Sequence, residues 1–123
     1  KQRLKICELL FDKENTFHFT INDLAKNISK ELDEKISLAT VYNTVHAFKN
    51  KGYLKEISIN SDKSYFDTNT TNHHHFFDED TNELIDCNEE VIETPKVKKN
   101  ISGKKINSIE VLIKVATDNQ NQK

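Results

Sequence analysis

Residues 65–77, read as Tyr65-Phe66-Asp67-Thr68-Asn69-Thr70-Thr71-Asn72-His73-His74-His75-Phe76-Phe77, constrain the fold more than any other part of the chain. Three of the five histidines stand side by side in this stretch. Extended backbone sends successive side chains to opposite faces, so His73 and His75 share one face and His74 takes the other. Two imidazoles converging from one strand is a geometry that suits ligation of a single ion. Asp67 adds a carboxylate just upstream, and phenylalanines bracket both ends. The plainer alternative is a solvated polar loop leading into a strand. The internal position argues against an expression tag, and Asp67 with the flanking aromatics favours a ligand site.

What precedes the stretch reads as helices followed by a hairpin. Leu4, Cys7, Leu10 and Phe11 recur at helical spacing over residues 3–11. Thr20 is a candidate N-cap with Asp23 three positions on, and Ile21, Leu24, Ala25 and Ile28 form the stripe of a second helix. Ser37 caps a third, with Leu38, Val41, Val45 and Phe48 on its apolar face and Gly52 closing it. Residues 53–59 and 64–67 then read as two strands joined by a turn at 60–63. Helix, helix, helix, hairpin is the order of a winged helix. The outer face of the third helix carries Thr40, Asn43, Thr44, Ala47 and Lys51, small enough to let it sit in a major groove. His46 is assigned to the helix surface with no function. Residues 1–66 hold 11 Lys and Arg against 9 Asp and Glu, whereas the remainder holds 7 against 11. That sign suits a first half that approaches phosphate.

After the histidines comes an acidic turn, Asp78-Glu79-Asp80-Thr81-Asn82, and a short strand with Leu84 and Asp86 on one face. Residues 88–93 offer a helix start that Pro95 and Gly103 disturb, and residues 109–115 alternate as a half-buried strand. Three strands and one helix leave an apolar face and a sheet edge uncovered, which a second copy of the chain would cover. The expected fold is therefore α+β. A winged-helix DNA-binding domain (1–68) precedes a small α/β dimerisation and sensing domain (69–118), and the polar tail beginning around Thr117, with 119–123 at its end, is disordered. With 35% hydrophobic and 31% charged residues, the core must be modest. No stretch reaches the length of a membrane span, and no secretory signal is visible. Cys7 and Cys87 form no CxxC pair, so a reducing, cytoplasmic setting without a structural disulfide is expected.

Two segments carry a resemblance. Ser37-Leu38-Ala39-Thr40-Val41-Tyr42-Asn43-Thr44-Val45 resembles the recognition-helix signature of the ferric uptake regulator (Fur) family. Lys63-Ser64-Tyr65-Phe66-Asp67-Thr68-Asn69, running into His73-His74-His75-Phe76-Phe77 and then Asn82-Glu83-Leu84-Ile85-Asp86, resembles its iron response regulator (Irr) subgroup. The likeness spans nearly all of residues 1–116. Arg3-Leu4-Lys5 resembles the end of the family's first conserved helix, so the usual lead-in is expected to be missing.

The resemblance implies a homodimeric transcriptional regulator of iron or haem homeostasis, usually a repressor, bound to a palindromic or pseudo-palindromic operator. It implies a sensory site made of His18, Asp67, His73, His75 and Asp86, suited to Fe²⁺, Mn²⁺ or Zn²⁺. In the Irr subgroup the His-x-His pair is instead associated with haem. The alternative within the family is a divalent-metal or peroxide-sensing repressor without haem. For DNA the expected contacts are Tyr42 to thymine methyls, Asn43 and Thr40 to base or phosphate edges, Ser37 at the helix start, and Arg3 and Lys63 to phosphate or the minor groove.

Departures from the family pattern sharpen these expectations. Asp78 and Thr81 stand where the first CxxC pair would be, so a structural Cys₄ zinc is not expected. A second metal site is incomplete, with His74 and Glu93 its only matching residues. Cys7 precedes Glu8 and Pro95 follows Thr94, so the Cys-Pro haem motif is missing. Asn43 replaces the arginine of many Fur proteins, which shifts base preference. An enzyme is the weaker reading, because no general base stands beside an open coordination position. A protein-binding winged helix is the third.

Overall fold

A computed structural model describes residues 2–119; most of the expected 119–123 tail lies outside the described residues. The chain divides into two compact units, Lys1–Thr70 and Thr71–Lys123, a boundary just past the division expected from sequence.

The first unit contains α1 (Gln2–Phe11), β1 (His18–Phe19), α2 (Ile21–Leu32), α3 (Leu38–Asn50), β2 (Lys55–Asn60) and β3 (Lys63–Asp67). Both expected caps are present. Thr20 Oγ1 accepts from the Asp23 N–H at 3.2 Å, and Ser37 Oγ accepts from Ala39 and Thr40 at 3.1 and 3.4 Å. Gly52, at φ 85°, turns the chain out of α3 as its N–H bonds to the Lys49 carbonyl. The stripe of α2 is buried as expected at Leu24, Ala25 and Ile28. α1 differs. It buries Ile6 and Leu10, while Leu4 is 65% and Phe11 40% exposed. Leu4, Ile6, Cys7, Leu9, Leu10 and Phe11 leave this helix apolar over most of its circumference, so spacing alone does not select the face that packs.

β3 is the middle strand of the sheet β1-β3-β2, antiparallel to both neighbours. Phe19 lies opposite Phe66, and both enter the core with Val41 and Val45 of α3. Phe66 is one of the largest fully buried side chains; truncating a buried phenylalanine commonly costs about 3–5 kcal/mol. Residues next to Phe66 along the strand point to the opposite face, so Tyr65 and Asp67 leave the helical core yet remain buried.

The second unit contains β4 (His74–Asp78), β5 (Glu83–Cys87) and β6 (Leu112–Val115), with β4 in the centre, antiparallel to β5 and parallel to β6. Asp78 Oδ1 accepts from the N–H groups of Asp80 and Thr81, bracing the acidic turn, and Asn82 takes φ 62° there. The helix expected from Asn88 does not form. Its side chain accepts from Glu90 N and its carbonyl from Val91 and Ile92, making one turn that stops before Thr94-Pro95. A residue before proline disfavours helical backbone, and β-branched Val91 and Ile92 offer no countervailing propensity. At the start of the polar tail the Thr117 N–H is bonded to Asp80 Oδ2. Among the described residues, no helix is long and apolar enough to cross a membrane.

Glu56 gives a stability test. Lys49 of α3 meets its carboxylate at 2.9 Å, and that bond holds the acid below its ordinary 4.5. A carboxyl whose folded value is lowered stabilises the fold above the unfolded value and loses that contribution as pH falls through the folded one. Glu56→Gln should therefore cost under about 1 kcal/mol at neutral pH. The difference should disappear in urea titrations run progressively below pH 4.5.

Candidate metal centre and nucleic-acid face

Strand register brings the second unit's donors together. His75 lies directly opposite Asp86 across β4 and β5, so both project from one face. His73, two residues back, joins them, and the two rings stand 4.3 Å apart. His75 Nε2 is 3.1 Å and His73 Nε2 3.4 Å from the same oxygen, Asp86 Oδ1. One ligand atom from each of the three residues lies within 4.8 Å of the others. Bonds of about 2.0–2.2 Å to a first-row ion place neighbouring donors roughly 3–4.3 Å apart. The two separations from Asp86 Oδ1, 3.1 and 3.4 Å, fall in that range.

The hydrogen bonds of His73 sharpen the case. Its Nδ1 lies 2.8 Å from the Thr71 carbonyl oxygen, which can only accept, so Nδ1 carries the proton. In the neutral ring Nε2 is then a lone pair directed at a carboxylate oxygen that also has only lone pairs. Such an arrangement is favourable when a proton or a cation lies between them. The three residues thus fit a divalent ion with mixed nitrogen and oxygen ligands, such as Fe²⁺, Mn²⁺ or Zn²⁺.

The first unit holds a second pair of the same kind. His18 on β1 lies opposite Asp67 on β3. Asp67 is 1% exposed, and its Oδ1 accepts from the Asn69 N–H at 2.9 Å. The His18 ring packs edge-on to Tyr65, 6.1 Å between centroids. β1 is held where Phe17 and Thr68 exchange hydrogen bonds, including Phe17 N–H to Thr68 Oγ1 at 3.0 Å. Spacing alone does not find His18, because its signal is this long-range register.

His74 takes the opposite face, as strand alternation requires. Its Nδ1 accepts the Val111 N–H at 2.9 Å, and its Nε2 meets Thr94 Oγ1 at 3.0 Å. Both ring nitrogens are thus engaged, and Glu93, the other residue of the expected second site, is exposed beside Thr94. The ring ties β4 to the segment entering β6.

On α3, Tyr42 is 53% exposed and Asn43 is exposed, while Thr40 is half-buried. Thr44 is corrected: it is 3% exposed and its hydroxyl donates to the Thr40 carbonyl at 2.8 Å, which makes burial of a threonine acceptable. The Ser37 hydroxyl is occupied in capping. Lys63 opens β3 with its ammonium 5.6 Å above the Tyr65 ring, and Arg3 is exposed on α1.

The ferric uptake regulator family model matches residues 1–114. The chain belongs to that family. The peroxide-responsive repressor PerR of Staphylococcus aureus (strain USA300) is 35% identical over 85 residues, 69% of this chain. The chain spans about half, 55%, of the length of that curated relative. Among solved structures, the ferric uptake regulator of Francisella tularensis with iron aligns at TM-score 0.74 and 16% identity, over 99% of this chain and 92% of that one. The Vibrio cholerae ferric uptake regulator aligns at 0.68 and 22%, over 94% and 88%. Identities this low speak to the fold alone.

His74→Ala separates a strut from a ligand. It leaves the Val111 N–H without its acceptor, which should cost about 1–3 kcal/mol of stability. Metal stoichiometry of the folded protein should not change; loss of one bound equivalent by atomic absorption would restore His74 to a metal site.

Proposed function

We propose that this chain is a homodimeric, DNA-binding transcriptional regulator, a repressor of metal-homeostasis or peroxide-defence genes, whose affinity for a palindromic operator is set by a divalent metal ion. The observation that carries this reading is the convergence of His73 and His75 on one oxygen of Asp86, in a chain of the ferric uptake regulator family. In this reading His18 and Asp67 of the first unit complete the ligand set. When bound, the ion would supply a positive charge suited to these imidazole and carboxylate donors. Strand register holds His18, Asp67, His75 and Asp86, and the Thr71 carbonyl orients His73, so that ligation would fix how the winged helix is presented. Membership of the ferric uptake regulator family and the likeness to a peroxide-responsive repressor support a metal or peroxide sensor.

The finer reading implied by the Irr resemblance, haem held by the His73-x-His75 pair, has the motif as its support. Two nitrogens and a carboxylate gathered around one point favour a small ion.

Titration of metal-free protein with Mn²⁺ or anaerobic Fe²⁺ should show saturable binding that His73→Ala with His75→Ala abolishes. His18→Ala, Asp67→Asn and Asp86→Asn should each weaken it at least about tenfold. Undiminished binding in the double variant would remove the site. A Soret band on adding haem, lost in the same double variant, would instead move the assignment to haem.

On DNA, α3 is read as the recognition helix, with Thr40, Tyr42 and Asn43 facing base edges and Arg3 and Lys63 on phosphate. Asn43→Ala should relax base preference at one position by about 1–3 kcal/mol. Arg3→Ala should instead lower affinity for all sequences and flatten the salt dependence by about one unit of slope. Competition gel shifts across a salt series distinguish the two, and equal behaviour of both variants would refute this docking.

A further inference from the structure

His46, expected from sequence to be an idle surface residue, is half-buried and enclosed by rings. It follows Tyr42 by one turn of α3, the spacing at which helical side chains meet. The two ring centroids are 4.1 Å apart with planes inclined at 38°. On its other side His46 meets Phe66 edge-on, at 5.3 Å and 81°. Phe66 is 2% exposed and stacks on Phe19 at 6.0 Å. A continuous column of rings therefore runs from the buried core to the exposed Tyr42. Glu56, itself bonded to Lys49, is the acid facing His46 from β2.

We propose that His46 is a positioning residue for DNA reading: it holds the Tyr42 ring in the orientation that meets base edges. The inference rests on the DNA-binding reading above. An exposed tyrosine on a helix samples more than one rotamer, and ordering such a side chain during binding weakens the complex. Stacked on an imidazole that is itself wedged against Phe66, Tyr42 is ordered before DNA arrives. The geometry requires a flat ring at position 46, not a charge.

The test uses the full chain loaded with Mn²⁺ and the duplex that the wild type enriches from a random-sequence pool. His46→Ala should weaken binding about three- to tenfold. His46→Gln, which fills space without a ring, should behave alike, while His46→Phe should recover to within about twofold. Tyr42→Ala with His46→Ala should bind no more weakly than Tyr42→Ala alone. In NMR spectra without DNA, the upfield shift of the Tyr42 ring protons should vanish in the alanine variant and persist in the phenylalanine one. Thermal melts confirm that each variant is folded. Binding by folded His46→Ala or His46→Gln equal to wild type, additive losses in the double variant, or failure of phenylalanine to rescue would overturn the proposal alone. A wild type that enriches no duplex would remove the DNA reading, and this inference with it.

Discussion

The central position of β3 in its sheet is the constraint on which the first unit depends. A strand paired on both edges has no freedom to slip, because a shift of one residue would send Phe66 out of the core and Asp67 into it. Either move is costly: the first exposes a large apolar ring, and the second buries a carboxylate among aliphatic side chains. Register is therefore fixed by packing against the helices, and the carboxylate on the far face is fixed as a by-product. Its neighbour across the ladder on one side is His18 and on the other Lys55.

The second unit repeats the device. There too a histidine and an aspartate stand directly opposite each other on antiparallel strands, His75 against Asp86, above a buried Phe77 and Leu84. Each unit thus fixes one imidazole–carboxylate pair through its own backbone hydrogen bonds, and His73 adds a third imidazole whose tautomer is set by the Thr71 carbonyl. Under the proposed metal binding, donors carried on or beside strands would spare an ion the entropy of gathering them.

Much of this was legible in the sequence, for reasons that are local. Thr20 and Ser37 announce helix starts because a side-chain oxygen satisfies backbone donors within three residues. The opposition of His73 and His75 to His74 follows from strand alternation alone. The illegible parts depend on distant partners. His18 becomes a candidate donor only when β1 is registered against β3, more than forty residues away. The packed face of α1 is decided by what its apolar surface meets, and spacing cannot choose between Ile6 and Leu4. Thr44 reads as a groove-facing polar residue until its hydroxyl is seen on the Thr40 carbonyl. The one-turn stop after Asn88, by contrast, is local: it follows from Pro95, read from sequence as disturbing this helix start.

The acidic turn between β4 and β5 has a consequence for durability. Where the family pattern would place a pair of thiols, this chain closes the turn with the Asp78 carboxylate on two backbone N–H groups and fastens it to the end of β6 through Asp80 and Thr117. The Thr117 bond holds the Asp80 carboxyl below its ordinary range. Asp78, Asp80 and Thr117 bring no sulfur to this clasp. Its link to β6 is therefore acid-labile: protonating Asp80, which takes a pH below the ordinary carboxyl range, removes the charge that the Thr117 N–H meets.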